Sequence, residues 1–474
     1  MTLATAKPVR ELAIGIVRRL QAVGHSAFWV GGCVRDFLLG REPDDYDIAT
    51  SAKPDDIEAL FKRTIAVGRK FGVMVVVEQK HQFQVATFRA EADYTDGRRP
   101  GKVVFADARA DAERRDFTVN GLFYDSVTER LHDWACGKTD LESRIIRTIG
   151  NPEERFAEDH LRLLRAVRFA TQLGFEIEPK TFAAVKTLAP KIAAISAERI
   201  RDELLKLFAP MPRSAGGSPA SSGSNKNLAG EPPALQCAPA SRGLQLLRDS
   251  GLLQHILPEL AATIACEQSP DYHPEGTVFE HLKLMLAQMP ANAHPLLPWA
   301  VLMHDIAKPL TSSRDPDTGS IHFYEHEKIG AEMTGDILRR LRFPKNQIEE
   351  VVIAVRHHMQ FKDAPQMRKS TLRRMLLRDT FPLELQLHRL DCLGSHGRLD
   401  VYDFLVEQSG GLKKQPAIRP PLLTGADLIK LGMKPGPSLG KMLAEIREKQ
   451  LQDELKTRRE ALKWARAAIG SMRT

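Results

Sequence analysis

The sequence has few cysteines and no long apolar run. Its five cysteines are scattered through 474 residues without Cys-x-x-Cys spacing. This scarcity argues against a disulfide framework or a zinc ribbon and predicts a reducing, cytoplasmic location. No apolar run approaches the ~18 residues of a membrane-spanning helix, and the N-terminus lacks the basic-then-apolar pattern of a secretion signal. We therefore expect neither membrane insertion nor export.

The length and the charge of the chain limit its number of domains and its class of function only broadly. A chain of 474 residues is too long for one ordinary domain, and its length alone suggests about three. Hydrophobic residues make up 43% of it, which is enough for real cores. The 68 basic and 60 acidic residues give a net charge of +8, which permits nucleic-acid binding without proving it.

A short stretch near the N-terminus indicates a phosphate-binding element. The apolar run Phe28 to Val30 predicts a strand, and Gly31 and Gly32 then allow a tight turn that a ligand can approach closely. Residues 34–39 predict a short helix whose N-terminal N–H groups would point at this turn, and Arg35 adds a positive charge. A phosphate would fit there.

Two aspartates follow on the next predicted strand. Residues 45–49 read as a strand, so Asp45 and Asp47 should project from the same face. Two adjacent carboxylates beside a phosphate-binding turn describe a Mg²⁺ site. Alone, a Gly-Gly pair is usually only a turn, and an Asp-x-Asp pair is usually a solvated strand end. Their joint order favours catalysis.

This order of motifs resembles the nucleotidyltransferase superfamily that includes DNA polymerase beta. The wording FWVGGCVRDFLLGREPDDYD, over residues 28–47, is similar to class II tRNA nucleotidyltransferases and bacterial poly(A) polymerases. The resemblance implies an α+β fold, with an N-terminal mixed-sheet, polymerase-beta-like head followed by an all-α neck, an HD domain and a tail. It also implies that Asp45 and Asp47 are the catalytic carboxylates.

Two further motifs carry the resemblance. RRDFTVN at 114–120 predicts the start of a helix with Asp116 and Asn120 on one face. In EDHLRLLRAVRF at 158–169, Asp159 and Arg162 lie three apart and could present an acceptor and a donor to a base. An ordinary ion pair is the simpler explanation of that spacing. The nucleotide-binding residues that the resemblance implies are Gly31, Gly32, Arg35, Arg89, Arg115, Asp116, Asn120, Asp159, Arg162, Arg165 and Arg168.

One position departs from the family pattern. The family usually has a third carboxylate on the strand that ends in Thr-Phe-Arg, and this sequence has Gln84 there. An amide binds Mg²⁺ weakly and cannot act as a base. Either Glu78 or Glu91 replaces it, or two carboxylates suffice.

Histidines cluster in the second half of the chain. His304-Asp305 lies inside a predicted apolar helix. Burial of such a polar pair costs free energy unless its side chains are hydrogen-bonded or bind a ligand. The order of histidines and aspartates in this half resembles that of HD-domain phosphohydrolases. The alternative is a degenerate HD domain that serves only as a scaffold. Imidazole and carboxylate ligands suit Mn²⁺, Ni²⁺, Fe²⁺ or Zn²⁺ better than Mg²⁺. The implied metal ligands are His281, His304, Asp305, His326, His358 and Asp391.

Hydrophobic periodicity outlines the elements of the head. Helical spacing predicts a helix over 9–23, and the β-rich runs 73–78 and 83–88 predict a hairpin in a sheet of mixed directions. The polar residues 92–101 predict a mobile loop, and 141–149 should return to the sheet.

Changes in composition divide the chain into segments. Residues 211–242 are rich in Pro, Gly, Ala and Ser and should be disordered. The basic tail is a candidate tRNA contact, although a solvated helix face is the commoner explanation. The predicted domains are the nucleotidyltransferase head at 1–150, a helical neck that recognises the base at 151–210, the linker at 211–242, a helical HD domain at 243–420 and a helical tail at 421–474.

The resemblance implies template-independent addition of CCA to the 3′ end of tRNA from CTP and ATP, with Mg²⁺. Residues 66–73 (AVGRKFGV) contain wording close to poly(A) polymerases, whereas their FGV ending and the HD domain look like CCA-adding enzymes. Poly(A) synthesis and CC-only or A-only addition are the alternatives. Two alternatives from other functional classes are an HD phosphohydrolase with an inert head and a non-catalytic RNA-binding protein. The sequence leaves the oligomeric state open.

Overall fold

The computed structural model describes residues 8–94, 100–210, 238–270, 273–413, 421–452 and 454–471, with the backbone alone at 91–94, 100–103, 411–413 and 471. These residues form two compact units. The first contains the described residues up to 209 together with 239–261, and the second contains those from 262 onward. The centre of the predicted 92–101 loop and most of the predicted 211–242 linker lie outside the described residues.

The first unit begins with a mixed sheet of seven strands. Strands in this part of the chain are β1 (Ala27–Val30), β2 (Ile48–Thr50), β3 (Thr64–Gly68), β4 (Val73–Glu78), β5 (His81–Thr87), β6 (Arg89–Tyr94), β7 (Pro100–Phe105), β8 (Phe123–Asp125) and β9 (Arg130–His132). The sheet order is β3-β4-β5-β2-β1-β8-β9, with β2 and β5 parallel and the other neighbours antiparallel. β6 and β7 form a separate hairpin. The predicted mixed sheet is confirmed.

Helices connect these strands and make up the rest of the unit. In the head they are α1 (Val9–Ala22), α2 (Gly32–Leu38), α3 (Pro54–Leu60), α4 (Ala108–Glu113) and α5 (Gly137–Glu142). A small parallel pair follows, β10 (Ile145–Ile146) with β11 (Glu176–Ile177). The neck helices are α6 (Pro152–Glu158), α7 (Leu161–Leu173), α8 (Pro179–Leu188), α9 (Ala197–Phe208), α10 (Pro239–Asp249), α11 (Leu252–Ile256) and α12 (Pro258–Ala261).

Helix α1 covers one face of the sheet. Its residues Leu12, Ile16 and Leu20 are buried, as the helical spacing predicts. Arg19 on the same helix pairs with Glu78 at the end of β4, with 2.6 Å between Nη2 and Oε1. Glu78 therefore projects toward the α1 side of the sheet.

The strands differ from the predicted ones in three places. β3 is an additional strand at the edge of the sheet, and 92–94 and 100–101 belong to β6 and β7 rather than to a loop. Pairing between two chain segments satisfies the backbone whatever the side chains are, so polar composition alone does not exclude a strand. Ile145–Ile146 pairs with β11 instead of returning to the main sheet.

The predicted helix at 114–120 is absent. Helix α4 ends at Glu113, and Thr118–Asn120 forms only a 3₁₀ turn. Phe117 between them is extended and forms an isolated bridge with Thr148. A hydrogen-bonded partner outside the segment thus replaces the helical bonds that the local pattern predicted.

Helices α10 to α12 belong to the first unit. Gly243 on α10 packs close to Leu207 and Thr171, where an added Cβ would lie 3.2 and 3.3 Å from their side chains. Arg242 donates to the carbonyl of Phe175 at 2.7 Å. The helix begins at Pro239, so residues 239–242, predicted to be part of the disordered linker, are helical.

The described part of the second unit is helical apart from one hairpin. Its helices are α13 (Val278–Ala287), α14 (Leu297–Met303), α15 (Lys308–Thr311), α16 (His326–Arg340), α17 (Lys345–His357), α18 (Lys369–Leu376), α19 (Phe381–Gly394), α20 (Asp400–Lys413), α21 (Gly425–Lys430), α22 (Pro437–Leu451) and α23 (Arg458–Ser471). The hairpin pairs β12 (Ser312–Arg314) with β13 (Ile321–Phe323). The predicted fold class, α+β with a mixed-sheet head and a helical remainder, is confirmed.

The last helices have a core of their own. Leu428, Met442 and Ala461 are buried together between α21, α22 and α23. In the described part of the chain, no helix has both the length and the apolar character needed to cross a membrane.

Candidate active site and metal centre

The glycine turn lies at the end of β1. Gly31 has a φ of 74°, a left-handed conformation that favours glycine. A Cβ at this position would also stand 3.1 Å from Nη1 of Arg115. The left-handed backbone thus favours glycine at this position, and the turn places Arg115 beside the backbone where a phosphate would approach.

The two predicted catalytic aspartates come together just before β2. Tyr46 between them is buried against Trp29, with 4.7 Å between ring centroids, so Asp45 and Asp47 face the opposite side. Burial and the charge of Asp45 raise the pKa of Asp47 to about 6, and Arg115 partly opposes them. β2 itself begins only at Ile48, but the backbone alternates as the strand pattern predicts.

The register of the sheet locates the position of the third carboxylate. Ala49 pairs with Ala86 across the parallel strands β2 and β5, so Gln84 lies on the same face as Asp47. Glu78 lies on the other face, with Arg19. It therefore cannot replace the missing carboxylate, and the side chain of Glu91 is outside the described residues.

Arg115 is held by a buried carboxylate. Asp111 on α4 is 1% exposed and lies 3.1 Å from Arg115 Nη2 and 2.8 Å from Arg114 Nη2. Burial would raise the pKa of Asp111, but the two guanidinium groups lower it. Nε of Arg115 is buried and has no acceptor among the described residues. A buried donor of this kind can be satisfied by a ligand oxygen.

We expect the Asp111→Asn substitution to raise the KM for nucleotides about tenfold and to leave kcat nearly unchanged. The neutral amide would hold Arg115 less firmly, because hydrogen bonds between charged groups are about twice as strong as neutral ones. Steady-state kinetics of nucleotide incorporation would measure the effect. Asp107→Asn is the matched control, because Asp107 is the N-cap of the same helix and accepts from Ala110 N at 2.8 Å, a bond that Asn can also accept. Equal KM values for both variants would contradict a role in positioning Arg115.

A chain of polar contacts links the head to the neck. Arg35 Nη1 donates to Asn120 Oδ1 at 2.8 Å, and Asn120 Nδ2 donates to Asp116 Oδ1 at 3.1 Å. Arg165 on α7 donates to Asp116 through Nε and Nη2, at 2.8 and 2.6 Å. Burial would raise the pKa of Asp116, but Arg165 lowers it to about 2. Arg35 also pairs with Asp36, so its guanidinium is engaged within the protein.

The neck ends of this network lie on α7 and α9. Arg168 pairs with Glu203, which is 4% exposed, and stacks over the Phe169 ring at 3.9 Å. Arg165 lies 3.5 Å from the other oxygen of Glu203. Arg89, at the start of β6, donates to the carbonyl of Phe71 at 2.8 Å.

The predicted shared face of Asp159 and Arg162 needs correction. The helix breaks at Asp159, whose φ of −146° is extended, and α7 starts two residues later. Asp159 forms a bidentate pair with Arg199, at 2.7 and 3.2 Å, whereas Arg162 pairs with Glu158. Local hydrogen bonds of the Asp159 carboxylate, such as that from Leu161 N at 3.1 Å, compete with the helix.

Three contributing residues escape the sequence patterns. Asp111 could be found because it lies four residues before Arg115, at ion-pair spacing on a helix. Arg199 and Glu203 give no local signal, because their partners lie more than 30 residues earlier in the chain.

The six predicted HD-domain ligands meet in the second unit. His304, His326 and His358 direct Nε2 at Asp305, at 3.2, 3.5 and 3.9 Å from its oxygens. His281 Nε2 lies 3.1 Å from Asp391 Oδ1. All of these histidines and Asp305 are 5% exposed or less.

Backbone carbonyls orient three of these imidazoles. Nδ1 lies 2.9 Å from the Val301 carbonyl in His304, 2.7 Å from Phe323 in His326 and 2.6 Å from Val355 in His358. When Nδ1 donates to a carbonyl, Nε2 carries a lone pair, which is the form that binds a metal. Two clusters share Asp305: His281, His304 and Asp305, and Asp305, His326 and His358.

The chemistry of this cluster fits a divalent metal. His304 Nε2 is buried without a hydrogen-bond partner in the described structure, although it is 3.2 Å from Asp305. Burial and the charge of His304 lower the pKa of His358 to about 3, which keeps that ring neutral. Burial would lower the pKa of His281, but its hydrogen bonds to Asp391 and Glu275 raise it to about 9. A metal at His281 would therefore displace a proton.

Comparisons with known proteins agree with this arrangement. A family model described as Poly A polymerase head domain matches 27–147, and the HD domain model matches 278–389. A model described as Probable RNA and SrmB- binding site of polymerase A matches 174–210 and 234–264. A model for tRNA nucleotidyltransferase domain 2 matches 418–465.

The sequence is similar to curated proteins named CCA-adding enzyme. That of Staphylococcus aureus is 46% identical over 203 residues, which are 43% of this chain and 50% of the relative. That of Enterococcus faecalis is 44% identical over 220 residues, 46% of this chain and 54% of the relative. The chain thus spans about half the length of the curated relatives it matches.

Similarity of structure extends further than similarity of sequence. The crystal structure of the Bacillus stearothermophilus CCA-adding enzyme in complex with CTP matches with a TM-score of 0.72 and 27% identity, and covers 99% of both chains. The matched models follow one another in the order head, neck, HD domain and tail. The chain is therefore similar in its first part to the Poly A polymerase head domain, in its second part to the HD domain, and over nearly its whole length to a CCA-adding enzyme of known structure.

Proposed function

We propose that this protein adds CCA to the 3′ end of tRNA from CTP and ATP, without a nucleic-acid template. The observation that carries the proposal is the pair Asp45 and Asp47 beside the Gly31 turn, with the pKa of Asp47 raised to about 6 by burial and its neighbour. Two carboxylates that repel each other in this way favour binding of a divalent cation. We propose that Mg²⁺ binds there. The named CCA-adding relatives support tRNA as the partner, and the cysteine pattern supports a cytoplasmic location.

Different residues of the head have different roles in nucleotidyl transfer. The 3′ hydroxyl of the RNA attacks the α-phosphate in line and pyrophosphate leaves. Mg²⁺, when bound at Asp45 and Asp47, supplies charge that activates this hydroxyl and neutralises the leaving group. The Gly31 turn and Arg115 would hold the triphosphate, because the Arg115 guanidinium lies directly beside the Gly31 backbone, with Nη1 3.1 Å from where a Cβ would stand. Asn120 and Asp116 would position the ribose.

Choice of the base falls to Asp159 and Arg162. Both are engaged here, Asp159 with Arg199 and Arg162 with Glu158. Their carboxylate and guanidinium can read a base edge only after these partners are exchanged for the nucleotide. The energetic cost is small if the base supplies equivalent hydrogen bonds. Such an exchange would let the protein alone discriminate between bases.

The experiment that tests the proposal is incubation with Mg²⁺ and a tRNA that lacks its 3′ end. CTP alone, ATP alone or both would be supplied, and the products sized. Two C residues followed by one A, and no more, are expected, and would also mean that Gln84 is tolerated. A long A ladder would identify a poly(A) polymerase, and CC or A alone a specialised enzyme. Absence of any addition would refute nucleotidyl transfer.

A second activity, metal-dependent phosphohydrolysis in the HD domain, is also proposed. It is favoured by the cluster around Asp305, with the orphaned Nε2 of His304. Mn²⁺, Ni²⁺, Fe²⁺ or Zn²⁺ suits these ligands. When bound, such an ion supplies a nucleophilic water, and Lys308, 2.7 Å from Asp305, supplies positive charge near a phosphate. If Asp45→Ala left every activity intact, the head would be inert and this activity would be the main one.

A further inference from the structure

An exposed aromatic pair borders the HD-domain cluster. Tyr324, directly after β13, is 70% exposed. Its ring stacks on that of His322, with 5.4 Å between centroids and an angle of 19° between planes. The two residues lie two apart, so they share one side of the hairpin.

The pair lines the same cavity as the metal cluster. This cavity has a volume of about 660 Å³, which falls in the range of sites for small ligands. Asp305, His326 and His358 line this cavity, and so do His322 and Tyr324. A ligand can therefore contact both groups at once.

Two lysines add positive charge to this cavity. Lys308 is 6% exposed and is fixed by Asp305 and by Gln268 Oε1 at 2.6 Å, and its Nζ lies 5.3 Å from the centre of the Phe323 ring. Lys362 also lines the cavity and is exposed. A cavity with a metal cluster, lysines and a flat aromatic surface matches the phosphate and base of a nucleotide.

We infer that His322 and Tyr324 form a nucleobase-stacking platform, which makes the HD-domain site selective for phosphate esters of nucleosides over other small phosphates. The phosphate lies toward Asp305 and the base lies on the Tyr324 ring. This inference rests on the proposed phosphohydrolase function. The shared chemistry, a base attached to a phosphate ester, is present both in free nucleotides and at an RNA 3′ end.

The test compares adenosine 5′-monophosphate with ribose 5-phosphate, which carries a hydroxyl group in place of the base. Calorimetry on the Mn²⁺-loaded full chain would give dissociation constants, and release of inorganic phosphate would give rates. We expect the nucleotide to bind about tenfold more tightly than the sugar phosphate. Tyr324→Ala should reduce that preference to within about twofold and leave ribose 5-phosphate binding unchanged. Because the head is identical in both proteins, its own nucleotide binding cancels in the comparison.

Leu310→Ala is the matched control. Leu310 is 71% exposed and precedes the same hairpin but does not line the cavity, so its substitution should change neither constant. An oligoribonucleotide with a 3′ phosphate replaces the nucleotide in a parallel arm, and tenfold tighter binding of either source supports the platform. Unchanged nucleotide preference in Tyr324→Ala would overturn it. Hydrolysis of neither phosphate would refute the phosphohydrolase function alone, since the binding constants still decide the platform.

Discussion

The Asp47→Asn substitution is expected to abolish nucleotide addition, by at least about 1000-fold, and to make the metal-free protein more stable at pH 8. Asn keeps the shape of the side chain but cannot supply a carboxylate to Mg²⁺. Asp45 alone would then have to hold the cation. The gain in stability follows because Asp47 is a buried carboxylate beside another negative charge.

The sign of the stability change follows from the pKa. Asp47 has a pKa of about 6 in the fold against 3.8 in a free chain, so the fold binds the proton more tightly. The free energy of unfolding therefore falls as the pH rises from about 4 to 6, and stays lower above pH 6. Two pKa units correspond to about 3 kcal/mol, and partial exposure of Asp47 reduces this to about 1–2 kcal/mol. Asn does not titrate and avoids the loss.

Denaturant unfolding in the absence of divalent cations, at pH 4 and pH 8, would measure this effect. The variant should exceed the wild type at pH 8 and match it near pH 4. The control is Asp44→Asn, because Asp44 is an exposed neighbour that the site does not use. A variant that is less stable than the wild type at pH 8 would show that Asp45 and Asp47 do not repel each other as described.

The head motifs could be predicted from sequence because their geometry is local. A glycine turn after a strand and an Asp-x-Asp pair at a period of two depend only on neighbouring residues, and the structure places Gly31, Asp45 and Asp47 as these patterns indicate. The same holds for the burial of one face of α1. The mixed strand directions of the sheet could be predicted for the same reason.

The neck could not be predicted in the same way. The helical pattern runs through residues 158–169, yet the helix breaks at Asp159, because the side chain caps the following turn and pairs with Arg199 from another helix. Contacts of that kind depend on tertiary packing and leave no trace in local spacing. The positions of Glu203 and of α10 in the first unit have the same origin.

Asp305→Ala is expected to abolish metal binding by the HD domain and to destabilise the second unit, while nucleotide addition by the head persists. Asp305 contacts His304, His326 and His358 and lies 2.7 Å from Lys308. Without the carboxylate, Lys308 is left as a buried cation with Gln268 as its polar contact. Removal of one partner of a buried pair costs about 3–5 kcal/mol.

The double substitution Asp305→Ala with Lys308→Met separates the two effects. It removes both charges, so the free energy of unfolding of the metal-free protein should recover most of the loss, because no buried charge remains unpaired. The metal content of the double variant should stay at background, because the Asp305 carboxylate that both residue clusters share is still missing. Mass spectrometry after dialysis against Mn²⁺ would measure it. Retention of metal by Asp305→Ala would exclude Asp305 as a ligand. Failure of Lys308→Met to restore stability would instead mean that the loss arises from the packing of the histidines rather than from the unpaired lysine.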